Sequence, residues 1–404
     1  MASAARARPG VKAMAAAQSR LFAGACATML AFGIVMALLG AILPELVRRL
    51  SMGLGQAGHL FLALNLAMLA ASLTVGPAID RFGFRAPMTL GPLLAAAALA
   101  LIGAAGAFAQ LVPAMLLLGF GGGALNATSN TLTADLHSDE KRKSAALNLL
   151  GVFFGLGALL MPLLVGVSVE RAGLSPLLYG TAAGCVLLAL ACAAQSYPQP
   201  KAAARGGSGG FWRLASNRVV LLFGALLFFQ SGNEFLLGGF ISTFLASGIK
   251  LSESVASFSL TSFWAAILVA RLLWGRVLRA IDGRRLIVAS AACAAAVSVA
   301  LAAAPSPGFA VAMVPLLGFS LAGIFPTTLG LAGSRFAAQS GAVFGLLFAM
   351  ALTGGMTLPW VAGQLGDIWS IRATMSVAPV GFVWILAIAS LSGRIARCEV
   401  QSKG

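Results

Sequence analysis

The side chain with the strongest claim to chemistry is Glu234, in the string Gln230-Ser-Gly-Asn233-Glu234 within an apolar run over 217–246. It stands sixteen residues after Arg218, about 24 Å into a helix that rises 1.5 Å per residue. A carboxylate at that depth in a bilayer costs at least ~2.5 kcal/mol and faces a bundle interior or a wet cavity. Two roles suit it: accepting hydrogen bonds from a polar solute, or carrying a coupling ion, proton or sodium. A structural acid satisfied by polar neighbours is the competing reading. Arg271 is the cation that lies within a helical run, eight residues before Arg279, hence about 12 Å from the cytoplasmic end. Counted from the cytoplasmic ends, Glu234 and Arg271 differ in depth by roughly 12 Å, too far to pair. That predicts Arg271 near Asp282 or helix-end carbonyls, at a gate.

Amides supply the remaining polar groups. Asn126 and Asn130 are four apart and share a helical face. Gln230, Asn233 and Glu234 fall within about one turn. Buried amides need partners, and the hydroxyls of a sugar both donate and accept. Candidate substrate contacts are therefore Asn126, Gln230, Asn233, Glu234 and, near the start of the fifth run, Asn148. Asn130, deeper toward the cytoplasm, is expected to bond helix to helix. Trp264 and Trp360 are candidate stacking surfaces, though aromatics in membrane helices more often pack or anchor. His59 and Gln56, at the outer end of the second run, are expected to be solvated. Asp135-x-His137-x-Asp139 reads as a solvated charged turn, so no metal site is assigned. The Gly119 to Gly123 cluster lacks a preceding strand and a P-loop Lys; it reads as a helix-packing surface.

These residues sit in a chain whose solvent is lipid. Of 404 residues, 59% are hydrophobic and 9% charged, against about 25% charged in soluble domains. The net charge of +16 is spread in short clusters between apolar runs. A nucleic-acid binder would need one contiguous basic face, so nucleic acid is excluded as a partner. The five cysteines form no close pair and read as small buried residues. Neither enzymatic nor nucleotide motifs occur, and no cofactor is expected.

A spanning helix needs roughly 20 apolar residues. Twelve such runs occur: 20–46, 55–79, 86–108, 111–134, 144–168, 175–196, 217–246, 252–278, 285–305, 308–334, 339–364 and 372–394. With both termini cytoplasmic, most of the 27 Lys and Arg fall on the cytoplasmic side, leaving Arg48, Arg49, Arg171, Lys250 and Arg372 outside. That bias sets the orientation. A linker at 197–216 carries Gly206-Gly207-Ser208-Gly209-Gly210. It divides six-helix bundles at 20–196 and 217–394, flanked by cytoplasmic tails at 1–19 and 395–404. Leu117-Leu118-Gly119-Phe120 recurs as Leu316-Leu317-Gly318-Phe319, 199 residues on, and Pro162 with Gly166 recurs as Pro359 with Gly363, 197 on. Weak internal symmetry of this kind marks a secondary transporter.

The turn Gly76-Pro-Ala-Ile-Asp80-Arg81-Phe-Gly83-Phe-Arg85 resembles the signature loop of the major facilitator superfamily, and Asp282-Gly283-Arg284-Arg285 is its degenerate counterpart. The resemblance implies an all-α membrane fold of twelve helices in two pseudo-symmetric halves. It implies a gating role for Gly76, Asp80, Arg81, Arg85, Arg271, Asp282 and Arg284. Gly76 would allow close helix packing, and the arginines would bind the acid and neighbouring carbonyls. Within that superfamily the chain is similar to the fucose–proton symporter-like sugar transporters, through Gly119 to Asn130, Ser231 to Glu234, Phe325-Pro326-Thr327 and Gly354 to Pro359. The family's two proton-carrying acids fall here on Gly40 and Asn126. The resemblance thus implies a multi-pass inner-membrane transporter of a small polar solute, a monosaccharide first, acting as a monomer, by facilitated diffusion or by coupling through Glu234. A proton-coupled exporter of drug-like or cationic compounds is the alternative.

Overall fold

Apolar runs longer than a bilayer is thick must satisfy their backbone internally, and they do so as helices. The computed structural model describes residues 11–137, 139–199, 214–277, 281–336 and 339–401, and no strand occurs among them. The first six helices are α1 (Val11–Leu50), α2 (Leu54–Phe82), α3 (Arg85–Ala104), α4 (Phe108–Leu136), α5 (Glu140–Ala172) and α6 (Leu174–Ala193). After the linker come α7 (Arg218–Thr243), α8 (Glu253–Val277), α9 (Gly283–Ala302), α10 (Pro307–Leu321), α11 (Ile324–Arg335), α12 (Ser340–Ile368) and α13 (Ile371–Gln401). Twelve described segments are long and apolar enough to cross a membrane, one for each run read from the sequence. Residues 200–213 of the linker, 1–10 of the first tail and 402–404 of the last lie outside the described residues.

The tenth span departs from expectation. The apolar run predicts one helix over 308–334, but the span breaks at Ala322 and Gly323 into α10 and α11. The cause is Pro326. It has no N–H to offer the Ala322 carbonyl four residues earlier, and its ring crowds that carbonyl. The end of α7 is also irregular, closing in a π-turn over Phe244–Gly248 with Ile249 N–H on the Phe244 carbonyl at 3.1 Å.

Within each half the helices approach until backbones touch. A Cβ on Gly33 would overlap the Phe154 carbonyl, and one on Gly157 the Leu30 carbonyl, which locks α1 to α5. Gly119 meets the Leu64 carbonyl between α4 and α2 in the same way. Small residues of this kind give membrane helices their packing energy, because lipid removes the hydrophobic drive between them. Gly76 is a correction. It was expected to permit close packing, yet nothing lies within 4 Å of where its Cβ would be. The glycine of that loop with a conformational reason is Gly83, at φ 78°, whose N–H caps α2 on the Ile79 carbonyl at 2.8 Å.

The two halves meet along three seams, α1 on α7, α2 on α12 and α5 on α8. Twelve alternating spans put both chain ends on one face, here called the termini face. The opposite face is sealed. There Asp367 accepts from Leu54 N–H at 2.6 Å and Gly55 N–H at 2.8 Å, and Arg48 Nε donates to Glu253 at 3.1 Å. Ser254 N–H donates to Glu170 at 3.2 Å. Gly40 of α1 lies against the Gly238 carbonyl of α7, with no room between for a side chain.

Candidate functional site

Glu234 and Arg271 form an ion pair: Arg271 Nη2 donates to Glu234 Oε1 at 3.1 Å. Counted from the cytoplasmic ends, the two residues fall too far apart to pair. α7 and α8 are joined at the sealed face, so depth is better counted from there. Glu234 lies fourteen residues before Gly248, and Arg271 eighteen after Glu253. The difference is then about 6 Å, within the reach of an arginine. Arg271 is therefore not a partner of Asp282.

The pair is partly accessible, with 14% of the Glu234 side chain and 28% of the Arg271 side chain exposed. A carboxylate this deep is tolerable because a guanidinium supplies both countercharge and hydrogen bond. Arg271 also stands over the Phe154 ring of α5, 6.0 Å from its centroid. It thus touches both halves: an ion pair to α7 of its own half, and a cation–π contact to the other. Its Nε is buried without a partner, so the guanidinium has a donor to spare.

The neighbouring amides are split up by their helix. Gln230 is buried and its Nε2 donates to the Leu321 carbonyl at 3.3 Å, bracing the break between α10 and α11. Asn233 is buried against Gly381 of α13, where a Cβ would lie 2.7 Å from its Nδ2. Neither end of its carboxamide has a partner. Both residues point into the C-terminal half, away from the seams with the N-terminal half. On α4, Asn130 Nδ2 donates to Asn126 Oδ1 and to the Asn126 carbonyl, both at 2.9 Å. The shared face is as expected. Both side chains are half-buried, and Asn126 keeps its Nδ2 to offer.

The other candidates scatter. Trp264 is buried with its indole edge under Gly238 and its Nε1 unpartnered. Trp360 is 37% exposed near the sealed face, and its Nε1 donates to His59 Nε2 at 3.4 Å. It does not join Glu234. His59 is exposed, as expected, but its Nδ1 also lies 2.8 Å from the Gly55 carbonyl. Asn148 is exposed toward the termini face.

The gating set divides likewise. Asp80 is exposed and makes no ion pair or hydrogen bond among the described residues; Arg81 stands over the Phe82 ring, 5.1 Å from its centroid. The expected pairing of that acid with Arg81 and Arg85 is therefore absent among the described residues. In the counterpart loop, Asp282 caps α9 through Arg285 N–H at 3.3 Å. Arg284 donates to the Ala389 carbonyl at 2.8 Å and the Ser390 carbonyl at 3.0 Å, within α13 and well before its end.

One residue escaped the sequence reading. Asn65 of α2 is buried, and its Nδ2 donates to the Phe61 carbonyl at 3.0 Å and across the seam to the Gly355 carbonyl of α12 at 3.2 Å. A lone amide in an apolar run was the signal available.

Two six-span halves that meet along a seam, with a charged pair held among the spans, define the class of secondary transporters. A model of the Major Facilitator Superfamily matches residues 21–232 and 223–397, and the chain belongs to that family. It is 24% identical over 300 residues to the glucose/mannose transporter GlcP of Bacillus subtilis (strain 168), covering 70% of this chain and 72% of that protein. Among solved structures it is similar to a bacterial homolog of the human lysosomal transporter Spinster, inward-facing and occupied. There the TM-score is 0.77 at 14% identity, over 94% of this chain and 97% of the other. A variant of the nucleoside transporter NupG gives a TM-score of 0.77 at 15% identity, over 93% and 98%. The protein is a transporter, not an enzyme.

Proposed function

We propose that this transporter carries a monosaccharide across the inner membrane by alternating access, with Glu234 and Arg271 at the heart of its site. The observation that carries the reading is the ion pair itself: an acceptor and a multiple donor, 3.1 Å apart, exposed in part to the interior where the halves meet. Such a pair can bond the hydroxyls of a sugar from both sides, and Asn126 on the facing half has a donor free for the same solute. The likeness to a glucose/mannose transporter supports the substrate class. A cation exporter suits the geometry less, because the carboxylate already holds a counterion.

The two rocking bodies are assigned to 20–196 and 217–394, with both termini cytoplasmic and the sealed face outward, as the distribution of Lys and Arg favours. Coupling, where it operates, runs through Glu234, since positions 40 and 126 hold Gly and Asn. The test is uptake of a hexose panel by the reconstituted protein, with and without an imposed pH or sodium gradient. Saturable hexose flux is expected. Absence of hexose flux alongside flux of lipophilic cations would replace the reading. Accumulation unchanged in Glu234→Gln would remove the coupling role.

A further inference from the structure

We propose that Glu170 and Asp367 are a matched pair of gate residues, each holding the first turn of a helix in the opposite half, and that both must release for the sealed face to open. The inference rests on alternating access in this family and not on the identity of the solute.

The geometry is twofold. Asp367, in the last turn of α12, accepts from the N–H groups of Leu54 and Gly55, the first two residues of α2. Glu170, in the last turn of α5, accepts from the N–H of Ser254, the second residue of α8, at 3.2 Å. Each contact has a companion one turn back on the carboxylate helix. Gln364 Nε2 donates to the Gly55 carbonyl at 3.2 Å, and Ser254 Oγ donates to the Gly166 carbonyl at 2.8 Å.

The sequence carries the same symmetry. Pro162, Gly166 and Glu170 stand at intervals of four, as do Pro359, Gly363 and Asp367, 197 residues later. Their targets Gly55 and Ser254 are 199 apart. Residues at such intervals share one face of a helix. The glycine brings the partner helix close, and the acid two turns above a proline meets its end. Gly363 lies against the Leu54 carbonyl and Gly166 against the Phe258 ring. A Cβ on Gly53 would sit 2.9 Å from either Asp367 oxygen, so the cradle for that carboxylate also requires a small residue there.

The chemistry suits a gate. The first N–H groups of a helix have no partner within it and carry the positive end of its dipole. A carboxylate satisfies both needs at once. Both acids are exposed, so water can take over each partner when the halves separate, and the bond made on closing is modest and reversible. A surface decoration would not recur on both seams at the same step of the repeat.

The experiment is a pulsed-EPR distance measurement on the full reconstituted chain. Spin labels go on Ala107→Cys and Ala303→Cys, exposed positions of the two halves on the sealed face, with Cys293 and Cys398 replaced by Ser. Asp367→Asn and Glu170→Gln are each expected to raise the long-distance population roughly threefold, and the double variant roughly tenfold. Asp367→Glu should restore most of the short distance. Arg372→Gln, which cuts a bond to the Ala302 carbonyl within one half on the same face, should leave the distribution unchanged. Unchanged distances in both single variants and the double would overturn the proposal, as would an equal shift from Arg372→Gln. If one variant does not fold, its mirror-image partner alone must give the shift.

Discussion

The N-terminal half is made of helices that run without a break, locked by glycine against backbone at Gly33, Gly119 and Gly157. The C-terminal half follows the same plan but departs from it at three places. α7 ends in a π-turn, the tenth span breaks before Pro326, and a half-buried carboxylate and guanidinium pair at Glu234 and Arg271. Two of these irregularities are linked, because Gln230 and Glu234 lie one turn apart on α7. Gln230 braces the break while Glu234 holds Arg271. One half thus resembles a rigid frame, and the other collects the polar chemistry and the freed backbone carbonyls. In a duplicated fold, the symmetry is broken on one side, and the proposed site lies there.

The sharpest way to break that contrast is Arg271→Ala. It strands a carboxylate in the membrane, and a loss of about 2 kcal/mol or more is expected. That lies below the roughly 3–5 of a fully buried pair, since the Arg271 side chain is 28% exposed. Thermal unfolding in detergent measures it, and a double change with Glu234→Gln should recover most of the stability. Gln230→Ala should cost about 1–2 kcal/mol by leaving the Leu321 carbonyl unsatisfied. If transport slows in proportion to that loss, the brace is only structural; if it slows more, the break is a working hinge. Asn233→Leu should be neutral or stabilising by up to about 1 kcal/mol, because neither end of the carboxamide is bonded. Unchanged half-saturation for the transported solute in that variant would separate it from the binding set. Smallest is Gly76→Ala, expected within ~0.5 kcal/mol of wild type or slightly stabilising by helix propensity. The matched change Gly119→Ala has a backbone carbonyl in its way and should abolish a well-folded sample by size-exclusion profile.

What the sequence made legible follows the same division. The spans, the duplication and the family were readable because lipid dictates length and composition, and the short motifs survive at their repeat spacing. Depth was not readable. Glu234 and Arg271 look mismatched from one side of the membrane and matched from the other, and a linear count does not say which connection is tight. Gln230 and Asn233 share a turn with Glu234, yet three residues on one turn face three neighbours. The break before Pro326 carried a local signal in its missing N–H. The idle space around Gly76 carried none, since a glycine facing an open groove reads like one at a helix crossing.

Gly40 has a consequence for how this chain could change over time. The family resemblance implies an acid at this position, and here the neighbouring helix lies directly against it, carbonyl to glycine. An acidic side chain restored there would meet the Gly238 backbone before it met a proton. A side chain at this position therefore requires α7 to draw away first. Close packing at the seam thus limits which side chains position 40 can hold, independently of what those side chains could do chemically.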